Sequence, residues 1–169
     1  QMKPKIAFFD FASCEGCQLA LLDCEDILLE ILELVDLVEF REAISESLSK
    51  TSEHYDIAFI EGSIHREIDS KRLLDIRSRS NYLVALGACA CHGNVQARAN
   101  FISPTENYQR VYGTEAQKRV QSDKKYADLW AHNKVRAIDE IVKVDYYLRG
   151  CPMSSDEFLN LLKALLSQQ

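Results

Sequence analysis

The sequence predicts an α/β domain of three layers, in which helices cover both faces of a five-stranded, mostly parallel sheet. Five short apolar runs recur along the chain, of the length expected for strands buried on both faces. Between them the apolar residues recur at three- and four-residue steps, the period of an amphipathic helix. Strand and helix alternating in this way form βαβ units with parallel strands and right-handed crossovers.

The first strand is residues 5–9 (KIAFF). A helix is predicted over 17–34, where Leu19, Leu22, Ile27, Leu28, Ile31 and Leu32 form the apolar stripe and Asp23, Glu25 and Asp26 fall on the outer face. Residues 36–40 (DLVEF) are the second strand and 56–60 (DIAFI) the third, which runs into Glu61 and a turn at Gly62. Helical spacing follows over 64–78, then a fourth strand at 81–86 (NYLVAL) that meets Gly87. The polar interval 94–140 is too long for a bare loop, so helix is expected within 114–130. A fifth strand over 142–148 (VKVDYYL) and a closing helix over 155–166, capped by Ser154 or Ser155, complete the chain. The expected strand order is 2-1-3-4-5, a flavodoxin-like sheet, and residues 1–169 are read as one domain.

Hydrophobic residues at 47% and charged residues at 27% leave enough apolar surface for a packed core, which excludes disorder. The net charge of −6 argues against nucleic-acid binding, because a phosphate-tracking surface needs clustered Lys and Arg. The apolar stretch 19–38 carries Asp23, Glu25, Asp26, Glu30, Glu33 and Asp36, so no membrane insertion is expected. The run at residues 6–9 is too short for a signal-peptide core, and the protein is expected to be soluble and cytoplasmic.

Six cysteines, at 14, 17, 24, 89, 91 and 151, are many for a chain in a reducing compartment, where structural disulfides are rare. Cys14 and Cys17 (SCEGC) follow the first strand, Cys89 (GACA) the fourth and Cys151 (RGCP) the fifth. Ligands of open α/β sheets bind outside the carboxyl ends of the strands, so three distant motifs converge where such a fold holds a cofactor. Gly16, Gly87 and Gly150 accompany them and permit close backbone approach, and Pro152 fixes the exit of the last loop. Four thiolates suit tetrahedral zinc or an iron–sulfur cluster. One pair and two singles spread over several loops favour the cluster over two paired zinc knuckles. The amino end of the helix near Cys17 is expected to offset cluster charge with its free N–H groups.

These motifs resemble the small subunit of nickel–iron hydrogenases, and the resemblance covers nearly the whole chain. DIAFIEGSI at 56–64 and VALGACACHGNVQ at 84–96 are similar to the cytosolic sulfhydrogenase and NAD(P)-linked branch. The related quinone-reductase subunit of respiratory complex I has adjacent cysteines in its first motif, unlike Cys14-Glu15-Gly16-Cys17 here. The resemblance implies one proximal [4Fe-4S] cluster held by Cys14, Cys17, Cys89 and Cys151. It further implies a large subunit carrying the nickel–iron centre, iron–sulfur or flavin acceptor subunits, and no catalytic residue on this chain. With no cysteine after Cys151, a single cluster is expected.

Alternatives are a complex I-like subunit, a zinc-stabilised flavodoxin-like binding module and an FMN flavodoxin. The last lacks a Ser/Thr-rich phosphate cradle after the first strand. Cys24 and Cys91 read as packing residues, the GxCA register selecting Cys89. His92 is a possible donor to cluster sulfur, and His54, His65 and His132 read as solvated. Glu15 and Glu61 read as capping or loop carboxylates near the site, with cluster tuning or a proton route as the functional reading, and Arg149 as a charge balance or interface partner.

Overall fold

The computed structural model describes residues 3–44, 53–122 and 134–167. Its sheet has five strands, all parallel, in the order β2-β1-β3-β4-β5. These are β1 (Lys5–Asp10), β2 (Asp36–Glu39), β3 (Tyr55–Glu61), β4 (Ser80–Leu86) and β5 (Tyr146–Leu148). The helices are α1 (Gly16–Leu22), α2 (Glu25–Leu34), α3 (Glu67–Ser78), α4 (Gly87–His92), α5 (Pro104–Ser122) and α6 (Ser155–Leu166). Short 3₁₀ segments lie at Asn94–Phe101 and Ile138–Glu140.

Side chains alternate across the central strands because the strand period is two. Ile6 and Phe8, Ile57 and Phe59, and Val84 and Leu86 enter one core with Leu21 of α1 and Phe158, Leu162 and Leu165 of α6. Ala7 and Phe9, Ala58 and Ile60, and Leu83 and Ala85 enter the other with Leu73 and Ile76 of α3. Parallel register sets Phe8 beside Phe59 and Phe59 beside Val84, which keeps each row on its own face. Phe8 stacks on Phe40 at 4.5 Å and on Phe59 at 4.8 Å between ring centroids.

The helix predicted over 17–34 is two helices. Cys24 sits between them at φ −86° and ψ 46° and caps α2. The break is silent in the periodicity because Leu21, Leu28 and Ile31 still line one apolar cavity. The helix predicted over 64–78 starts at Glu67, because Ile64 instead exchanges both backbone hydrogen bonds with Arg136 (2.9 and 3.0 Å).

The fifth strand is shorter than its apolar run. Asp145 turns its carboxylate onto the Leu83 N–H at 2.9 Å, while its own N–H bonds the Leu83 carbonyl at 2.9 Å, so ladder pairing begins only at Tyr146 opposite Val84. Val142 is buried without joining the sheet. In the polar interval, α5 begins earlier than predicted and breaks at Gly113. The part of the expected helix over 123–130, like His132, lies outside the described residues. Ser154 caps α6 by accepting the Glu157 N–H.

Candidate functional site

The carboxyl ends of β1, β4 and β5 carry the three cysteine motifs to one edge of the sheet. Glu15, just before α1, takes a left-handed conformation (φ 61°), which turns the chain from Cys14 into Cys17. Cys14 is exposed and Cys17 buried. α4 starts directly from β4 and places Cys89 on its first turn. The Ala88 N–H donates to the Gly150 carbonyl at 2.7 Å, which ties the start of α4 to the loop of exposed Cys151.

The Cys17 sulfur occupies the space a side chain on Gly87 would need. A Cβ on Gly87 would lie 2.3 Å from the Cys17 sulfur, and Gly87 also has φ +74°, so this position has room for neither a side chain nor the strain of one. Asn94 brings two motifs together: its Nδ2 lies 3.5 Å from Cys89 Sγ and 3.6 Å from Cys151 Sγ. Gln96 Nε2 lies 3.4 Å from Cys89 Sγ and donates to the Ala12 carbonyl at 3.0 Å.

Burial pushes the Cys17 thiol up to about 12, and nearby Glu61, Cys89 and Cys14 push the same way against a Met153 backbone hydrogen bond. A thiol in this setting stays protonated at neutral pH unless a bound cation supplies the charge that burial denies it. Glu15 is also raised, chiefly by burial and then by Glu42, Asp10 and Glu61. Among the described residues, no three Cys, His, Asp or Glu side chains draw close enough to hold one metal ion.

The helix N-terminus is engaged differently from the sequence expectation. Glu61, buried at the end of β3, accepts the Cys17 N–H (3.2 Å), the Gln18 N–H (3.2 Å) and the Gln18 side-chain amide (3.0 Å). The first free amides of α1 therefore meet a carboxylate of this chain.

The remaining cysteines point elsewhere. Cys24 donates weakly to the Ala20 carbonyl at 3.4 Å. Cys91 packs against the second core, across the sheet from Cys17, and burial pushes it up to about 11 while Arg149 pulls it down. Arg149 lies over the Tyr147 ring at 5.1 Å. His92 is exposed, His54 bonds Asn81, and His65 bonds buried Ser63 rather than being simply solvated. The sulfur-facing amides of Asn94 and Gln96 are not singled out by the sequence; the Gly-Asn pair directly after α4 marks a turn but gives no sign of sulfur recognition.

The family described as "NADH ubiquinone oxidoreductase, 20 Kd subunit" matches residues 14–165. The chain belongs to this family. Among relatives, it is 35% identical over 158 residues to sulfhydrogenase 2 subunit delta of Pyrococcus furiosus, covering 94% of this chain and 60% of that protein. It is 29% identical over 170 residues to the HoxS subunit delta of the NAD-reducing hydrogenase of Cupriavidus necator, covering 98% and 79%. A solved NAD⁺-reducing [NiFe]-hydrogenase in the H2-reduced state superposes with a TM-score of 0.78 at 28% identity, over 99% of this chain and 93% of that one. This family member spans 60%, 56% and 56% of the length of three of its curated relatives. Among its described residues, no helix is long and apolar enough to cross a membrane.

Proposed function

We propose that the chain is the electron-transfer small subunit of a soluble, cytoplasmic nickel–iron hydrogenase, with one [4Fe-4S] cluster held by Cys14, Cys17, Cys89 and Cys151. The observation that carries the reading is the sulfur-filled gap at Gly87, where the backbone of one motif gives up its side chain to the thiol of another. Relatives named as hydrogenase subunits, one of them an iron–sulfur subunit, support it. One CxxC pair and two single cysteines drawn from three separate loops suit a multi-iron core better than the paired knuckles of the tetrahedral zinc site weighed against it.

When bound, such a cluster accepts and returns single electrons between a nickel–iron centre on a large subunit and an acceptor module. The chain's own residues do the rest. Glu61 holds the turn that carries Cys17, and the Ala88 to Gly150 bond sets the loop of Cys151 against α4. Burial of Cys17 keeps water from that side of the site, while exposed Cys14 and Cys151 leave the other side to be covered by a partner chain.

The test is anaerobic purification with co-purifying partners, followed by iron, nickel, zinc and acid-labile sulfide analysis. About four irons and four sulfides per chain, with nickel on a larger companion, are expected. A cluster without a nickel-bearing companion would favour the quinone-reductase reading that the family's description names. Zinc without sulfide would overturn the cluster.

A further inference from the structure

The two side-chain amides at the thiols have a chemistry that the cysteine set alone does not explain. Asn94 is one of two non-glycine residues in the described chain with positive φ (45°), a conformation that asparagine tolerates better than most residues. Held there, its Nδ2 straddles Cys89 and Cys151 at 3.5 and 3.6 Å. Facing two ligating thiolates, the NH₂ side of the amide is the one that can donate, since the carbonyl oxygen would set its lone pairs against two sulfurs. Gln96 is oriented independently: the Ala12 carbonyl can only accept, so Nε2 faces it at 3.0 Å and lies 3.4 Å from Cys89 Sγ, while Oε1, at 3.6 Å, accepts from Cys89 only as long as that thiol keeps its proton. Three N–H···S contacts thus fall on two of the four thiols.

We propose that Asn94 and Gln96 are positioning residues that set the reduction potential of the cluster by hydrogen-bonding the sulfurs of Cys89 and Cys151. The inference rests on the four-thiolate reading above. Adding one electron to the cluster increases the negative charge on its sulfurs, and donors aimed at them stabilise the reduced form more than the oxidised form. No bond is made or broken at either amide and no proton moves. The two amides make the cluster easier to reduce, and their removal makes it harder.

The experiment uses the full chain purified anaerobically with its co-purifying partners. Iron and sulfide are counted first; their absence from the unmodified chain overturns the cluster reading itself. With the cluster present, the signal abolished by Cys17→Ser is followed by electron paramagnetic resonance through a mediated titration with dithionite and ferricyanide. Asn94→Gly keeps the left-handed backbone, and Gln96→Met keeps length without the donor. Each is expected to shift the midpoint negative, and the double variant by at least about tenfold in the oxidised-to-reduced ratio at fixed potential, which is 59 mV for a one-electron couple. Asn94→Asp, the same shape with a carboxylate in place of the donor, shifts it further than Asn94→Gly. Unchanged midpoints in cluster-loaded variants overturn the inference. So does loss of the cluster from all of them, which would make the amides assembly residues.

Discussion

The carboxylate of Glu61 accepts the backbone N–H of Cys17 at 3.2 Å across two elements far apart in sequence. It also takes both Gln18 donors, so one buried side chain satisfies three donors. Glu61→Gln keeps the shape but sets an amide N–H against one of them. It is expected to destabilise the chain by about 1–3 kcal/mol, read as a lower urea midpoint with an unchanged slope. An unchanged midpoint would mean that the turn holds without the carboxylate.

Gly87→Ala tests the gap itself. The added methyl meets the Cys17 sulfur, and φ +74° adds left-handed strain of about 1–2 kcal/mol. Iron content is expected to fall severalfold while far-ultraviolet circular dichroism stays near that of the unmodified chain. Full iron loading of this variant would count against the proposed placement of Cys17.

Thiol alkylation should report the four-cysteine set. Iodoacetamide applied to metal-free chain is expected to label exposed Cys14 and Cys151 first and buried Cys17 last. In the loaded protein Cys14, Cys17, Cys89 and Cys151 should all resist, leaving Cys24 and Cys91 as the sites that mass spectrometry finds modified after mild unfolding. Protection of Cys91 in place of Cys89 would move the proposed ligand.

Asp145 gives the pH dependence a defined sign. Burial opposes its charge, but the Leu83 N–H, Arg77 and Lys143 outweigh burial and hold the carboxyl below its usual range. Its contribution is therefore present above the pKa of the unfolded carboxyl and is lost as pH falls through the lower, folded value. Asp145→Ala should cost about 2 kcal/mol at neutral pH, and the gap between variant and parent should narrow on acidification. A gap constant from pH 7 to pH 3 would exclude ionisation of Asp145 as its cause.

The strands were legible because burial on both faces leaves an unbroken apolar run, as in 56–60, which lies inside β3. The sheet order followed from the alternation. What was hidden depended on side chains acting as backbone. Asp145 replaces a strand partner for Leu83, which shortened β5, and the apolar stripe ran past the break at Cys24 unchanged. At the site, the convergence of three motifs could be read from their places after strands. Glu61 was placed beside the site from sequence, yet its partners were not, because a carboxylate meeting the amides of a helix on another βα unit is a tertiary contact. Asn94 and Gln96 carry no residue-type signature of sulfur recognition, so only their geometry reveals it.

The order of the sheet has a metric consequence. β1 and β4 are separated by β3, so the CxxC turn and the Cys89 turn rise from strands two spacings apart, roughly 10 Å. β3 contributes no cysteine, yet it sets the distance that Cys17 has to cross: its sulfur reaches past the end of β3 to the backbone of Gly87, and Glu61 at that end holds the Cys17 N–H. Drawing β1 and β4 together as neighbours would shrink the span to a single spacing. The reach of Cys17 toward the motif of Cys89 is thus set by a central strand that supplies none of the four proposed ligands.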